Sequence, residues 1–352
     1  MIRFSQQSDT VRYPSPVGFT LVELMVVMVV LALLAALTLS GLAGVRDRAK
    51  ADKTRSTIRK LHEIIVPHYE SYLTRRVPQR PSSPASVWNT GVTPNRFAPS
   101  GSPITSSTSA ATNRLWGLRL LMTLEMPDQW RDVAPTATLP SWAITAPVKR
   151  YAALKTAGTA PSTAYEGAEC LAMIVLRGGF DPDLVELFRS DELGDLDGDR
   201  HPEFLDGWGK PIGFIRWPVG FQSPVQSQDA AVNPDPFDPM RRSNPEAFPS
   251  ASQADYGVTP LIYSGGPSAA LDASPSGSSA TTPFYADYVA ASDIPASASW
   301  VTTLTRPSAT PLLDAGAVPS IRAITSGTLG PGSVKDIRAA RDNITNFDLL
   351  TK

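Results

Sequence analysis

Gly18-Phe19-Thr20-Leu21-Val22-Glu23, followed by Leu24-Met25-Val26-Val27 and an unbroken apolar run to Leu37, is the stretch that decides how this chain is read. From Phe19 to Val45 the only formal charge is Glu23. A membrane-spanning helix needs about 20 mainly apolar residues, and this segment is long enough. It lies near the N-terminus, contains no proline, and is followed at once by a cluster of bases. Those features favour lipid over a protein core as its surroundings. Glu23 does not fit a plain anchor, because a carboxylate inside an apolar segment costs at least a few kcal/mol. Such an acid is by default functional and calls for a partner.

Three readings of the first 45 residues compete. A cleaved secretory signal has an apolar core of about 7 to 15 residues ending in small residues, for which Ala35-Ala36 and Ala43-Gly44 are candidates. A signal anchor would keep the whole segment. Neither accounts for Glu23. The third reading rests on the motif itself, a glycine, an aromatic, a hydroxyl residue and a lone acid in fixed register with a long apolar run. It resembles the processing site of type IV prepilins and of type II secretion pseudopilins. The resemblance implies that prepilin peptidase cleaves between Gly18 and Phe19 on the cytoplasmic side and that Phe19 is then N-methylated. It also implies that Glu23 meets the N-terminal amine of a neighbouring subunit during assembly, where opposite charges relieve each other's desolvation.

Arg46, Arg48, Lys50, Lys53, Arg55, Arg59 and Lys60 follow the apolar run, against Asp47 and Asp52. A positive-inside count alone would hold this side in the cytoplasm. The resemblance places it outside, with the N-terminus cytoplasmic, a single pass through the inner membrane and the remainder periplasmic. Beyond Val45, Ile58, Leu61, Ile65 and Tyr69 recur at helical spacing. The helix is expected to run to about Val66, where Pro67 kinks or ends it.

The expected organisation is a leader (1–18), a transmembrane and filament-core helix (19–45), an amphipathic extension (46–80) and an extracytoplasmic head (81–352). The expected fold class is α+β, a long N-terminal helix packed on a small antiparallel sheet with long loops. Short helices are predicted at Leu115–Met126, stopped by Pro127, and at Tyr165–Leu176, stopped by Gly178-Gly179. Strands are predicted at Ile212–Trp217 and Pro260–Tyr263. Residues 81–113 and about 268–283, rich in Ser, Pro, Thr and Ala, read as loops or insertions.

Acids dominate Asp181–Asp206, where Arg189 and Arg200 are the only bases. Asp195, Asp197, Asp199 and Glu203 stand at positions 1, 3, 5 and 9 of one loop, with Gly198 easing the turn and the backbone carbonyl of His201 at position 7. Oxygen ligands at alternate residues of a turning loop can converge on a hard cation, and this number of protein ligands suits calcium better than magnesium. The loop lacks the position-6 glycine and distant bidentate Glu of an EF-hand, and a solvated acidic loop is the competing reading. Asp206-Gly207-Trp208-Gly209-Lys210-Pro211 is similar to the Asp-x-Trp-Gly-x-Pro segment of major pseudopilins. Tyr263-Ser264-Gly265-Gly266-Pro267 resembles the family's later turn, and Asp336–Asp348 its terminal segment. The resemblance implies a calcium ion that ties the C-terminal loops together, and Asp336 or Asp342 would add ligands to the ion of the acidic loop or form a second site.

The chain has 33 acids against 32 bases, so its overall field gives no attraction to nucleic acid. The single cysteine, Cys170, excludes an intrachain disulfide and a multi-cysteine zinc site, and within its predicted helix it reads as a buried inert thiol. Only His62, His68 and His201 are available as imidazole bases, and no nucleophile elbow, phosphate loop or metalloprotease motif occurs. These residues argue for a structural role over an enzymatic one, and the resemblance implies that it is that of a subunit of a type II secretion pseudopilus. Its expected partners are homologous pseudopilins, prepilin peptidase, the inner-membrane secretion platform and lipid. The alternatives are a type IV pilus or minor pilin subunit acting in adhesion, and a membrane-anchored enzyme.

Overall fold

A computed structural model describes residues 20–77, 107–133, 141–157, 165–180, 182–218, 256–267 and 342–349, most of 220–240, and residues 136, 139 and 161. Gly18, Phe19, Asp336 and most of the Ser/Pro-rich stretches lie outside the described residues. The chain divides into two units, Met1–Ala49 and Lys50–Lys352.

Helix α1 runs from Leu21 to Ser71 and passes through Gly41 and Gly44 without a break. In the first unit its large apolar side chains from Leu21 to Leu34 are exposed. Among the described residues no helix is long and apolar enough to cross a membrane. The side chains of 37–43 lie outside the described residues.

The second unit begins with the amphipathic part of α1. Ile58, Leu61, Ile65 and Tyr69 are buried as the spacing predicts, joined by Ile64 and Tyr72. Each such side chain contributes about 1.5–3 kcal/mol of apolar burial. The expected end near Val66 is corrected: the helix continues one turn further and closes in a short 3₁₀ turn, Tyr72–Thr74. Pro67 and Glu63, whose carbonyl loses its helical donor, are both exposed, so water can solvate the freed group. Burial of Tyr69 and Tyr72 beyond the proline opposes the break, and the Tyr72 hydroxyl donates to Glu125 at 2.7 Å.

Helix α2 (Ser107–Glu125) starts earlier than the sequence suggested and stops before Pro127 as expected. Helices α3 (Ala146–Ala157), α4 (Glu166–Arg177) and α5 (Pro182–Val185) follow. Strands β1 (Leu193–Gly194) and β2 (Glu203–Phe204) form an antiparallel hairpin. Strands β3 (Gly213–Ile215), β4 (Leu261–Ser264) and β5 (Ile344–Thr345) form an antiparallel sheet in that order. Both strands anticipated from the sequence are present: β3 is shorter than expected and starts one residue later, and β4 keeps its expected length but is shifted by one residue. The architecture is α+β.

The main core joins the α1 stripe to Leu121 and Leu124 of α2, Leu171 and Ile174 of α4, and Phe204, Phe214 and Ile262 of the strands. Helix α4 packs against β2 and β3, and this placement brings it beside the acidic loop. Arg216, wholly buried after β3, pairs with Asp132 at 3.1 Å and Asp128 at 3.3 Å and donates to the Met126 carbonyl at 2.7 Å. Removing one partner of such a buried cluster typically costs about 3–5 kcal/mol.

Candidate functional site

Two regions carry the residues singled out from the sequence. At the start of α1, Glu23 occupies the third helical position after Thr20. Thr20 donates to the Glu23 carboxylate from its backbone N–H and its hydroxyl, both at 2.9 Å, and the Glu23 N–H returns a bond to the Thr20 hydroxyl at 3.3 Å. This is a capping box, which satisfies donors that a helix start otherwise leaves unpaired. The Thr-x-x-Glu spacing is visible in the sequence, but the signal was overshadowed by the charge of Glu23. Glu23 is exposed, so its carboxylate closes the helix and still faces outward.

The acidic loop is the connection of the β1–β2 hairpin. Asp195 accepts the N–H groups of Gly198 at 2.7 Å and Arg200 at 3.0 Å, and Asp199 accepts that of His201 at 2.8 Å. Gly198 has φ +79°, a left-handed conformation suited to glycine, and Arg200 adopts φ +75° in the same turn. The carboxylates of Asp195, Asp197 and Asp199 come within 4.8 Å of one another. Glu203 joins Asp197 in a second group of the same compactness, whose third member is Glu169 of α4.

Glu169 was not identified from the sequence. The available signal was an acid on the apolar face of the Tyr165–Leu176 helix, beside Cys170 and one turn before Met173. One Glu169 oxygen accepts the indole N–H of Trp130, and the other, Oε1, is buried without a hydrogen-bond partner. Glu203 accepts the Leu196 N–H at 3.1 Å through Oε2, while its Oε1 is likewise buried and unpartnered. Burial first, then the surrounding carboxylates, push Glu169 up to about 9 against the Trp130 bond that lowers it. Glu203 is pushed up to about 8 by burial and by Asp197, Asp195 and Asp199, against the bond from Leu196. Cys170 is buried and its thiol is raised well above the usual range by burial and then by Glu166 and Glu169, which matches the inert reading.

Immediately after β2, the Asp-Gly-Trp-Gly-Lys-Pro segment makes a tight connection. Asp206 accepts the N–H groups of Trp208 at 2.7 Å and Lys210 at 2.9 Å through Oδ1, and the Ser264 hydroxyl at 2.6 Å through Oδ2. Lys210 Nζ donates to the carbonyls of Gly266 and Pro267, each at 3.0 Å. The two segments that carry the family resemblance in the second unit therefore meet. The terminal segment joins them: the Asn346 side chain accepts the Ile262 N–H at 3.0 Å and donates to the Pro260 carbonyl at 3.0 Å, continuing the ladder beyond β5. Its amide also reaches His62 Nδ1 at 3.3 Å. His68 packs edge-on against Tyr72 and Phe180, and His201 lies 4.5 Å from the Trp130 ring.

Residues 18–39 match the prokaryotic N-terminal methylation motif. The matched stretch is the type IV prepilin-like signal that prepilin peptidase processes. No curated protein and no solved structure matches the chain.

Proposed function

We propose that the chain is a structural pseudopilin subunit that assembles into a pseudopilus for type II protein secretion. The observation that carries the reading beyond the methylation motif is the Asp206–Ser264 hydrogen bond. It joins the Asp-Gly-Trp-Gly-Lys-Pro segment to the Ser-Gly-Gly-Pro turn, the two segments similar to those of major secretion pseudopilins. In this reading prepilin peptidase cuts between Gly18 and Phe19, Phe19 is methylated, and the exposed apolar side chains of α1 are covered first by inner-membrane lipid and then by neighbouring subunits in the filament. The N-terminus faces the cytoplasm and the second unit the periplasm. The role is mechanical and architectural, with no catalytic residue assigned.

Mass spectrometry of the mature N-terminus tests the processing step. Methyl-phenylalanine at residue 19 is expected, and an intact Met1 or cleavage near Ala43 would overturn it. Deleting the gene from its host and comparing exported proteins with surface pili tests the machinery. Loss of exported proteins with normal pili supports secretion; loss of pili with normal export selects the pilus or adhesion reading.

A further inference from the structure

Glu169 and Glu203 are, respectively, 1% and 0% exposed, and each has one carboxylate oxygen with no hydrogen-bond partner. Neither has an ion-pair partner among the described residues, and the charged groups acting on them are the carboxylates of the acidic loop. Leaving a buried carboxylate oxygen unpaired costs on the order of 1–3 kcal/mol, more when it is charged. Two such oxygens beside Asp197 constitute a local concentration of acceptors with no matching donor.

We propose that Glu169 of α4, Asp197 of the hairpin loop and Glu203 of β2 bind a calcium ion that fastens α4 to the loop. One ligand oxygen from each of the three lies within 4.8 Å of the other two. Three points so arranged share a centre no more than about 2.8 Å from each, within reach of calcium–oxygen distances of roughly 2.3–2.6 Å, and an all-oxygen protein set suits calcium, which dehydrates more readily than magnesium. Asp197 is exposed, which leaves the outer side open to the water ligands calcium needs to reach its usual six to eight. The set differs from the one read along the loop. Both Asp195 oxygens and one oxygen each of Asp197 and Asp199 already hold backbone N–H groups and shape the turn, whereas Glu169 and Glu203 each have a buried oxygen with no hydrogen-bond partner. This site is independent of which filament machinery uses the subunit.

The test uses the full chain purified in detergent, with terbium as a luminescent calcium probe that the neighbouring Trp130 can sensitise. Terbium emission displaced by calcium is expected, together with a thermal midpoint that a chelator lowers by several degrees. Glu169→Gln and Asp197→Asn should each weaken calcium binding at least about tenfold by removing a charged ligand. Glu186→Gln, an exposed acid outside the site, should leave binding unchanged. Because Asp197 is exposed, its variant keeps the test valid if Glu169→Gln does not fold. Absence of terbium emission and of any chelator effect in the wild type would overturn the proposal. So would full binding by Glu169→Gln with loss of binding by Asp195→Asn, which would place the ion on the loop alone.

Discussion

Thr20 and Glu23 hold each other across the first turn of α1, with the Glu23 carboxylate taking the Thr20 N–H at 2.9 Å and the Glu23 N–H returning to the Thr20 hydroxyl at 3.3 Å. A carboxylate expected to serve a neighbouring subunit thus already has a task within its own helix. The two roles are separable, because a glutamine at the third helical position also completes a capping box while carrying no charge.

Glu23→Gln is expected to preserve the helix start and membrane insertion but to reduce filament assembly. Glu23→Ala should impair assembly and also weaken the helix start, because it removes the acceptor of the Thr20 N–H. Membrane fractionation reports insertion, and the yield of cross-linked or sheared filaments reports assembly. Wild-type assembly by Glu23→Gln would remove the intersubunit charge role and leave only the cap.

Gly207→Ala should destabilise the second unit by about 1–3 kcal/mol. A Cβ there would sit 2.2 Å from the Lys50 carbonyl oxygen, and the Gly207 N–H donates to the Thr54 hydroxyl at 2.9 Å. Backbone stands on both sides of the contact, so neither can swing away. An unchanged thermal midpoint would show that α1 and this turn are not in close contact.

Pro67→Ala should stabilise the protein by on the order of 1–3 kcal/mol, because it restores an N–H inside α1 and removes the ring's clash at an exposed position. Chemical denaturation of the variant against wild type measures it. A loss of stability would mean that the proline shapes a bend the core requires.

Glu192 predicts an acid-labile contact. Burial raises its carboxyl, but the Arg189 N–H, the Thr57 hydroxyl and Lys60 together outweigh burial and hold it below its ordinary 4.5. Lys60 Nζ lies 2.9 Å away and the Thr57 hydroxyl 2.5 Å. A depressed carboxyl stabilises the fold above its unfolded value of 4.5, and the contribution is lost as pH falls from there through the folded value. Denaturation midpoints from pH 6 down to about pH 3 should therefore fall more steeply for wild type than for Glu192→Gln. Parallel curves would remove this residue from the acid response.

The sequence conveyed the helical stripe of α1 because period alone places Ile58, Leu61, Ile65 and Tyr69 on one face, and each is buried. It conveyed both strands near Phe214 and Ile262 through short apolar runs beside turn residues. It left open whether Pro67 ends or only kinks the helix, because local propensity does not register a core on the far side of the proline. The carboxylates of the hairpin loop were legible as a spaced acidic run, since ligands from one loop share a local period. Glu169 was not, because it reaches that loop only when α4 packs on β2.

By itself the sequence determined the processing motif, the apolar first half of α1 and the amphipathic second half, all set by residue type and spacing within one segment. Only the tertiary structure decided that Asp206 meets Ser264, that Asn346 completes the ladder beside Ile262, and that Glu169 shares a cluster with Asp197 and Glu203. The physical reason is that hydrogen bonds and ligand sets form wherever packing brings donors and acceptors together, and no local period encodes that juxtaposition across tens of residues of chain.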